Sequence, residues 1–546
     1  MTRLSPALAI VDAGGATTSV GLVGRIGSRW RLLGSLAGPA GTPEAALLAI
    51  VAARVRAADP DLAAELSLDS GRLDSVPRLM ARSRPPATLV VLAASRRAVG
   101  DLSAVAVRTG WRVQGASTES HDPREMSELA LGQGVRAVLI GAGDPPGPDE
   151  RPALDDLAAL GGAVARRRPE LQILLSGAIR GRRAWRESLG ADPPGDPARI
   201  VEVPAAVRRR GDGDGLRQSL ERLFAEPGDG RVAMRAATES LADLLDRRVE
   251  LVEVGLDGGT RVLAEPGVAG APPTSIGIVT AEGALVPPDP DDETVDRVLA
   301  WTTGSLDRHR MGDRLRELRG QPWVDAAGDG ARLRLAAASA ALARMAGLTP
   351  ALNAMAVPDV TVVAGGAFAV APASATALAV ADTIRRTGVT QLTWDHARLL
   401  GPIGTIEDPA ERRALLADLL HDGLVPLGTI VVTGNLGVRR GAGRHDRPAG
   451  RLTLAGDGRE IQRDLIAGDL AFVDLPPGRQ AEARFAFAER VRFGRRTRQV
   501  SVPVSGGIVG LMLDLRDVPL RLPERRDRRR TLLADWSALA WPGDAR

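Results

Sequence analysis

Residues Leu8 to Gly24 read LAIVDAGGATTSVGLVG, and the architecture of the whole chain turns on them. An apolar run ends in Asp12, a Gly-Gly turn follows, and two threonines lead into a second apolar run. Gly-Gly between two β-rich runs signals a hairpin, because glycine supplies the positive φ angles of tight turns. Gly14 and Gly15 carry no side chain, so backbone N–H groups can approach and cradle an anion. Thr17 and Thr18 add hydroxyl donors for phosphate oxygens. Asp12 could hold Mg²⁺, an ion that takes oxygen ligands and keeps part of its water shell. Viewed alone, the segment is equally a plain Gly/Thr hairpin, since short Gly-rich matches are weak signals.

At 546 residues the chain exceeds one ordinary core, and roughly two to four domains are expected. Hydrophobic residues make up 44% and charged residues 25%, the balance of a soluble globular protein. There is no cysteine, which excludes a disulfide framework, a thiolate metal site and a cysteine nucleophile. The apolar run before Asp12 is too short for a signal peptide. The uncharged stretch Val360 to Ala381 is interrupted by Gly365, Gly366 and Pro372, so strand, loop and buried helix explain it better than a membrane span. A cytoplasmic protein without membrane association is expected. The sequence pI of about 10.6 suggests nucleic acid but misleads. Lysine, tyrosine and cysteine are all absent, so little titrates between neutrality and the arginine range, and the net charge is only +4. Aromatics are 3% and do not interleave with basic runs such as Arg208 to Arg210 and Arg525 to Arg530, which argues against a base-stacking platform.

Beyond the first hairpin, Arg29 to Leu36 reads as a third strand. Thr42 to Ala58 has helical spacing, with Thr42 as N-cap and Pro43 at the first helical position. From there strands and helices alternate. Strands are expected at Ala87 to Ala93, Trp111 to Gly115, Ala137 to Ile140, Leu171 to Leu175 and Ile200 to Val203. Helices are expected at Ala98 to Thr109, Glu125 to Gly132 and Leu154 to Arg168. This is α/β texture with ligand-competent loops at strand ends. After the polar segment Arg208 to Gly215, helices are expected at Leu216 to Phe224 and Val232 to Asp246. The stretch VELVEVGLDGGTRVLAEPG, starting at Val249, then repeats the first hairpin's layout: apolar strand, acidic residue (Glu253 or Asp257), Gly258-Gly259-Thr260, apolar strand. Duplicated phosphate hairpins would face each other across a cleft, one on each lobe. Gly/Asp turns are also common in so glycine-rich a chain. Farther on, an Ala-rich helix from Ala331 to Ala346 precedes VTVVAGGAFA, Val360 to Ala369, with a helix from Ala373 to Arg386 beyond it. Small residues at this strand-to-helix junction let a flat ring or ribose lie against the backbone, or equally let helix and strand pack closely. From about Pro402, short strands split by Gly/Pro turns suggest a mainly β module, closed by an Arg-rich helix running towards Trp536 and Trp541.

Two phosphate hairpins and a Gly-Gly adenosine-type loop together resemble the actin, Hsp70 and sugar-kinase (ASKHA) nucleotide fold, which is ribonuclease H-like. Its D-x-G-x-x-x-T pattern is matched by Asp12, Gly14 and Thr18. Within that superfamily the chain is most similar to the glutamate mutase L (MutL/GlmL) family, over nearly its whole length. The most specific part is PDVTVVAGGAFAVAPASATALAVADTIRRTGVTQLTWDHARLLGPIGTI, Pro358 to Ile406. There Asp359, Gly365, Gly366, Ala371, Pro372, Asp382, Gly388, Val389, Thr390, Leu392 and Asp395 match, and Gly506, Gly507, Gly510, Leu511, Asp514, Arg516, Pro519 and Leu520 follow the family near the end. Departures lie in the loops. The family's Gly-Gly-Thr-Asp-Gly-Gly-like loop is GAGDPPG here, keeping Gly141, Gly143 and Asp144. Its second D-V-G-A-A-T-T loop is EVGLDGGT here, with Glu253 for Asp and the paired threonines displaced.

The resemblance implies two lobes, 1–228 and 229–401, and an added mainly β C-terminal module, 402–546. It implies ATP and Mg²⁺ as ligands, with Asp12 at the metal. The nucleotide set it carries over is Asp12, Gly14, Gly15, Thr17, Thr18, Gly141, Gly143, Asp144, Glu253, Gly255, Gly258, Gly259, Thr260, Gly365 and Gly366. It implies an ATP-binding chaperone or reactivating partner of an adenosylcobalamin-dependent mutase, with hydrolysis weakened or lost through the eroded second loop. A small-molecule kinase of the same fold needs a general base, for which Asp122, Asp144 and Glu253 are candidates. A non-catalytic scaffold is the other alternative.

Overall fold

The computed structural model describes residues 6–68, 71, 73–83, 85–142, 147–148, 150–177, 179, 183–189, 200–206, 214–224, 228–268, 270–323, 326–436, 447–456, 458–520 and 522–541. It is a mixed α/β protein with both parallel and antiparallel sheets. The chain forms two compact units, one of residues 1–84, 228–277 and 283–546, the other of 85–227 and 278–282. The expected lobe 1–228 therefore divides: its first strands belong with the later half of the chain, and residues 85–227 build cores of their own.

The larger unit opens with β1 (Ala7–Ala13), β2 (Thr17–Ile26) and β3 (Arg29–Pro39), followed by β4 (Arg78–Arg82), in the sheet order β3-β2-β1-β4. β1 and β2 form the expected hairpin, and β4 runs parallel to β1. The helix between them, Glu44–Ala58, is not capped by Thr42 as expected. The Thr42 hydroxyl instead donates to the Pro39 carbonyl at 2.7 Å, and the helix starts behind Pro43, whose ring sets φ for it.

The smaller unit is a wholly parallel sheet of β5 (Thr88–Ala93), β6 (Arg112–Ser117), β7 (Val135–Gly141), β8 (Gln172–Ser176) and β9 (Ile200–Val203), in the order β6-β5-β7-β8-β9. Its central strands are continuous apolar runs because helices cover both faces, as in Thr88–Ala93, buried throughout.

The chain continues with β10 (Val249–Val254), β11 (Gly259–Glu265), β12 (Thr274–Thr280, its last three residues counted with the smaller unit), β13 (Val360–Ala364), β14 (Gly388–Asp395) and β15 (Leu424–Val432). Next come β16 (Pro448–Gly456), β17 (Arg459–Ile466), β18 (Leu470–Val473), β19 (Gln480–Phe493), β20 (Arg495–Ser505) and β21 (Gly510–Asp514). Eight of these strands make one sheet, β12-β11-β10-β13-β14-β15-β21-β18. The start of that order, β12-β11-β10-β13, repeats β3-β2-β1-β4 of the first sheet, again with an antiparallel hairpin followed by a parallel strand. One core joins the two sheets, with Ile10 and Val23 from the first and Leu251 and Val362 from the second packing around Leu241 and Leu399.

Residues 402–546 are not a module apart. β15, β18 and β21 complete the eight-stranded sheet, while β16, β17, β19 and β20 form a separate four-stranded antiparallel sheet. The helix Pro409–Gly423, absent from the mainly β expectation, packs on β3, with Asp422 taking bidentate hydrogen bonds from Arg31 at 2.7 and 2.8 Å. At the end of β21, buried Asp514 is gripped by Arg516 and Arg385. Burial pushes its carboxyl up, but the two guanidiniums outweigh that and hold it well below the usual range.

Candidate functional site: two hairpins across a closed cleft

The two hairpins correspond residue for residue. Asp12, the penultimate residue of β1, pairs with Ser19 on β2 and Ala81 on β4. Glu253, penultimate in β10, pairs with Thr260 on β11 and Ala364 on β13. The amide of Gly14 donates to Thr17 O at 2.7 Å, and that of Gly255 donates to Gly258 O at 2.9 Å. Of the two acids left open by the sequence, Glu253 is thus the counterpart of Asp12. Asp257 matches Ala16 in the turn. The same register shows that Gly258 and Gly259 stand where the first hairpin has Thr17 and Thr18.

Both turns line one cleft together with Gly365, Gly366, Asp395 and Arg398. Asp12, Gly14, Gly15, Thr17, Glu253, Gly255, Gly258, Gly365 and Gly366 all border it. Thr18 does not, because side chains alternate along a strand and Thr17 takes the face shared with Asp12. Gly259 and Thr260 also lie off the cleft; a Cβ on Gly259 would meet Glu253 O at 2.7 Å and Met345 Sδ at 2.8 Å. Gly141 closes β7 in the smaller unit, where a Cβ would press on Leu102 at 2.9 Å. Gly143 and Asp144 lie outside the described residues. Asp122, weighed as a base, is an exposed N-cap in a reciprocal capping box with Glu125.

The cleft is filled by its own walls. Its volume is about 80 Å³, well below the roughly 300–1,000 Å³ of small-molecule sites. A Cβ on Gly15 would lie 2.3 Å from Asp257 Oδ2, so the first turn sits directly against the Asp257 carboxylate of the second. Arg319 donates to Asp257 Oδ1 at 2.5 Å, and the Trp323 indole N–H donates to Ala16 O at 2.8 Å. The guanidinium of Arg398 hydrogen-bonds the Thr17 hydroxyl and opposes the charge of Asp12. It also approaches Gly366, where a Cβ would stand 3.2 Å from its Nη2. Gly365 has φ of 96° and packs on Val254 O, at 2.3 Å from an added Cβ. The first Gly of the adenosine-type loop therefore serves close strand packing.

Four acids border this cleft: Asp12, Glu253, Asp257 and Asp395. Burial pushes Asp12 to about 6, partly offset by Arg398. Burial also pushes Asp395 to about 6, against the pull of backbone N–H donors from Leu399 at 2.9 Å and Leu400 at 3.1 Å. Glu253 rises furthest, to about 8, through burial, with Arg231 opposing and the charge of Asp12 adding. Its Oε2 is buried with no hydrogen-bond partner. Among the described residues, no group of three or more His, Asp or Glu is placed to hold a metal ion. Arg398, Arg231 and Asp395 escaped the site reading because their relation to Asp12 spans more than two hundred residues. The Asp-x-x-Arg of Asp395 and Arg398 at the end of β14 was the visible signal.

No family model matches the chain, and no curated protein matches it. A structure described as the PilM-PilN type IV pilus biogenesis complex aligns at 13% identity over 77% of this chain and 99% of that one, with a TM-score of 0.23. The Ppx/GppA phosphatase of Aquifex aeolicus, type II variant, aligns at 10% identity over 75% of this chain and 88% of that one, with a TM-score of 0.18. Scores that low leave the fold to be argued from strand order. No described helix is long and apolar enough to cross a membrane.

Proposed function

We propose that this chain is an actin/Hsp70/sugar-kinase-type protein of the glutamate mutase L kind that serves as a partner of an adenosylcobalamin-dependent mutase, its nucleotide cleft no longer turning over ATP. The duplicated strand order, with an acid at the same register of each hairpin, supports the fold reading. The Pro358 to Ile406 motif supports the family, and the mutase partner rests on that resemblance. The observation that carries the loss of turnover is Arg398, a built-in cation seated between Asp12 and Thr17 where a metal would be needed.

Mg-ATP does not fit the cleft as arranged. Ligand sites run about 300–1,000 Å³, against about 80 Å³ here. The amides of Gly14 and Gly255 are spent inside their own turns. Of the bases a kinase reading would use, Asp122 is an exposed N-cap and Glu253, pushed to about 8 by burial, is mostly protonated at pH 7. One observation favours a looser variant in which nucleotide binds after the hairpins part: the Glu253 Oε2, buried without a hydrogen bond in a cleft that Arg231 and Arg334 also line. Thermal melting with Mg-ATP and a phosphate-release assay on the same sample separate these. No release and no melting shift are expected. A shift without release would mark a nucleotide-gated partner, and brisk Mg²⁺-dependent release would contradict the loss of turnover.

A further inference from the structure

Glu250, on β10, is a buried carboxylate that faces two guanidiniums. Its Oε1 accepts from Arg261 Nε at 3.0 Å and from Arg386 Nη2 at 2.9 Å. Arg261, on the neighbouring strand β11, is wholly buried, and the Arg386 side chain, just before β14, is 4% exposed. Two buried cations on one buried anion leave a positive charge in excess. Arg261 reaches two further acceptors, the Thr349 hydroxyl at 2.5 Å and Asn353 Oδ1 at 2.7 Å, and both are neutral. Arg386 is less well served, because its Nε and Nη1 are buried with no hydrogen-bond partner. Burial pushes this guanidinium below the usual arginine range; Glu250 opposes that, while Arg261 and Arg248 add to it. Arg248 has its own carboxylate, Asp359, at 3.9 Å. A buried charged donor without an acceptor is costly, so Arg386 calls for one more partner, and for a negative one.

Arg386 borders a small cavity in the larger unit, about 20 Å³ in volume. The polar part of its wall is Glu250, Arg386, Thr361 and Thr390, and the rest is Val, Ile, Ala, Pro and Gly. Thr361 on β13 and Thr390 on β14 hydrogen-bond each other at 3.0 Å. That bond uses one hydroxyl proton, and the second hydroxyl keeps a proton to donate. Roughly 10–15 Å³ holds one water, so the space takes a single small occupant and excludes phosphate, sulfate and organic acids. A water would accept from an N–H yet leave the excess charge standing. A monovalent anion answers both needs. Glu250 in the wall does not cancel this, since its single charge is already divided between two arginines.

We infer that this cavity is a site for one small monovalent anion of chloride size, held by Arg386 and the second hydroxyl proton of the Thr361–Thr390 pair. Bound there, the ion neutralises the Arg261–Glu250–Arg386 group beneath strands β10, β13 and β14. The test is thermal melting of the full-length protein at constant ionic strength, with sodium chloride replacing sodium gluconate, whose anion is too large to enter. The melting temperature should rise with chloride and level off as a single site fills, and bromide should act likewise. Arg386→Gln leaves Arg261 and Glu250 balanced and should abolish the halide dependence. Thr361→Val with Thr390→Val keeps the shape of the wall, removes both hydroxyls and should weaken the apparent chloride affinity by about tenfold or more. That pair also decides the matter should Arg386→Gln fail to fold. Equal melting in chloride and gluconate would mean that the cavity holds only water and would overturn the inference. So would a halide-dependent shift that persists undiminished in a folded Arg386→Gln or double-valine variant.

Discussion

At Arg398 one guanidinium hydrogen-bonds a threonine of the first hairpin and offsets the charge of its aspartate. Arg398→Ala should therefore cost roughly 1.5–3 kcal/mol, the range for a hydrogen bond involving a charged group, read by urea unfolding. It should also make the melting temperature newly sensitive to Mg²⁺, because Asp12 is then left without its counter-charge. Glu253 sets a pH dependence of definite sign. Its folded pKa, about 8, lies above the ordinary 4.5, so between those values the folded protein keeps a proton that the unfolded chain has shed. Stability conferred by that proton is complete below the unfolded value and is lost as pH rises towards the folded one. Glu253→Gln keeps the neutral shape and removes the titration. The variant's stability curve should be flatter, by up to about 1.4 kcal/mol per pH unit. A difference curve between the two proteins that does not change across that range would refute this reading of Glu253.

Among the elements, the helix Pro409–Gly423 ties the later chain to the first sheet. Its N-cap Asp408 accepts from Ala410 N at 2.9 Å, and Asp418 accepts from Trp30 N at 2.9 Å. Asp408→Ala should cost about 1 kcal/mol, measurable as a shift in denaturant midpoint at constant slope. That helix went unread beside the conspicuous Gly/Pro-split strands after it, although Pro behind Asp marks its start. The helix Arg308–Gly320 hid for a different reason. It is mostly charged, and its buried stripe is reduced to Met311, Leu315 and Leu318. β4 was also missed, since RLMAR is short, flanked by arginines and stabilised by parallel pairing to β1, a contact about seventy residues away in sequence. By contrast, Asp12, Gly14, Thr17 and the Gly365-Gly366 turn were legible because a turn is a local event. Which acid of the second hairpin answers to Asp12 was open on composition, while the family resemblance pointed to Glu253. Pairing register decides for Glu253, although Asp257, three residues from the strand end, had equal claim on composition.

On the scale of the molecule, two units with separate cores should melt in more than one calorimetric transition. A chain cut after residue 401 should not survive as a folded lobe. It loses β15, β18 and β21 from the eight-stranded sheet and bares the edge of β14, so it should elute as aggregate in size exclusion. What joins these scales is contact between the two hairpin turns. Because the protein has no cysteine, Gly15→Cys with Asp257→Cys introduces a single reporter pair, placed where an added Cβ on Gly15 comes 3.3 Å from Asp257 Cγ. Closure predicts rapid disulfide formation under mild oxidation, at a rate Mg-ATP leaves unchanged, followed by titration of free thiols. Thiols that stay reduced, or that Mg-ATP protects, would contradict a cleft held shut by its own side chains.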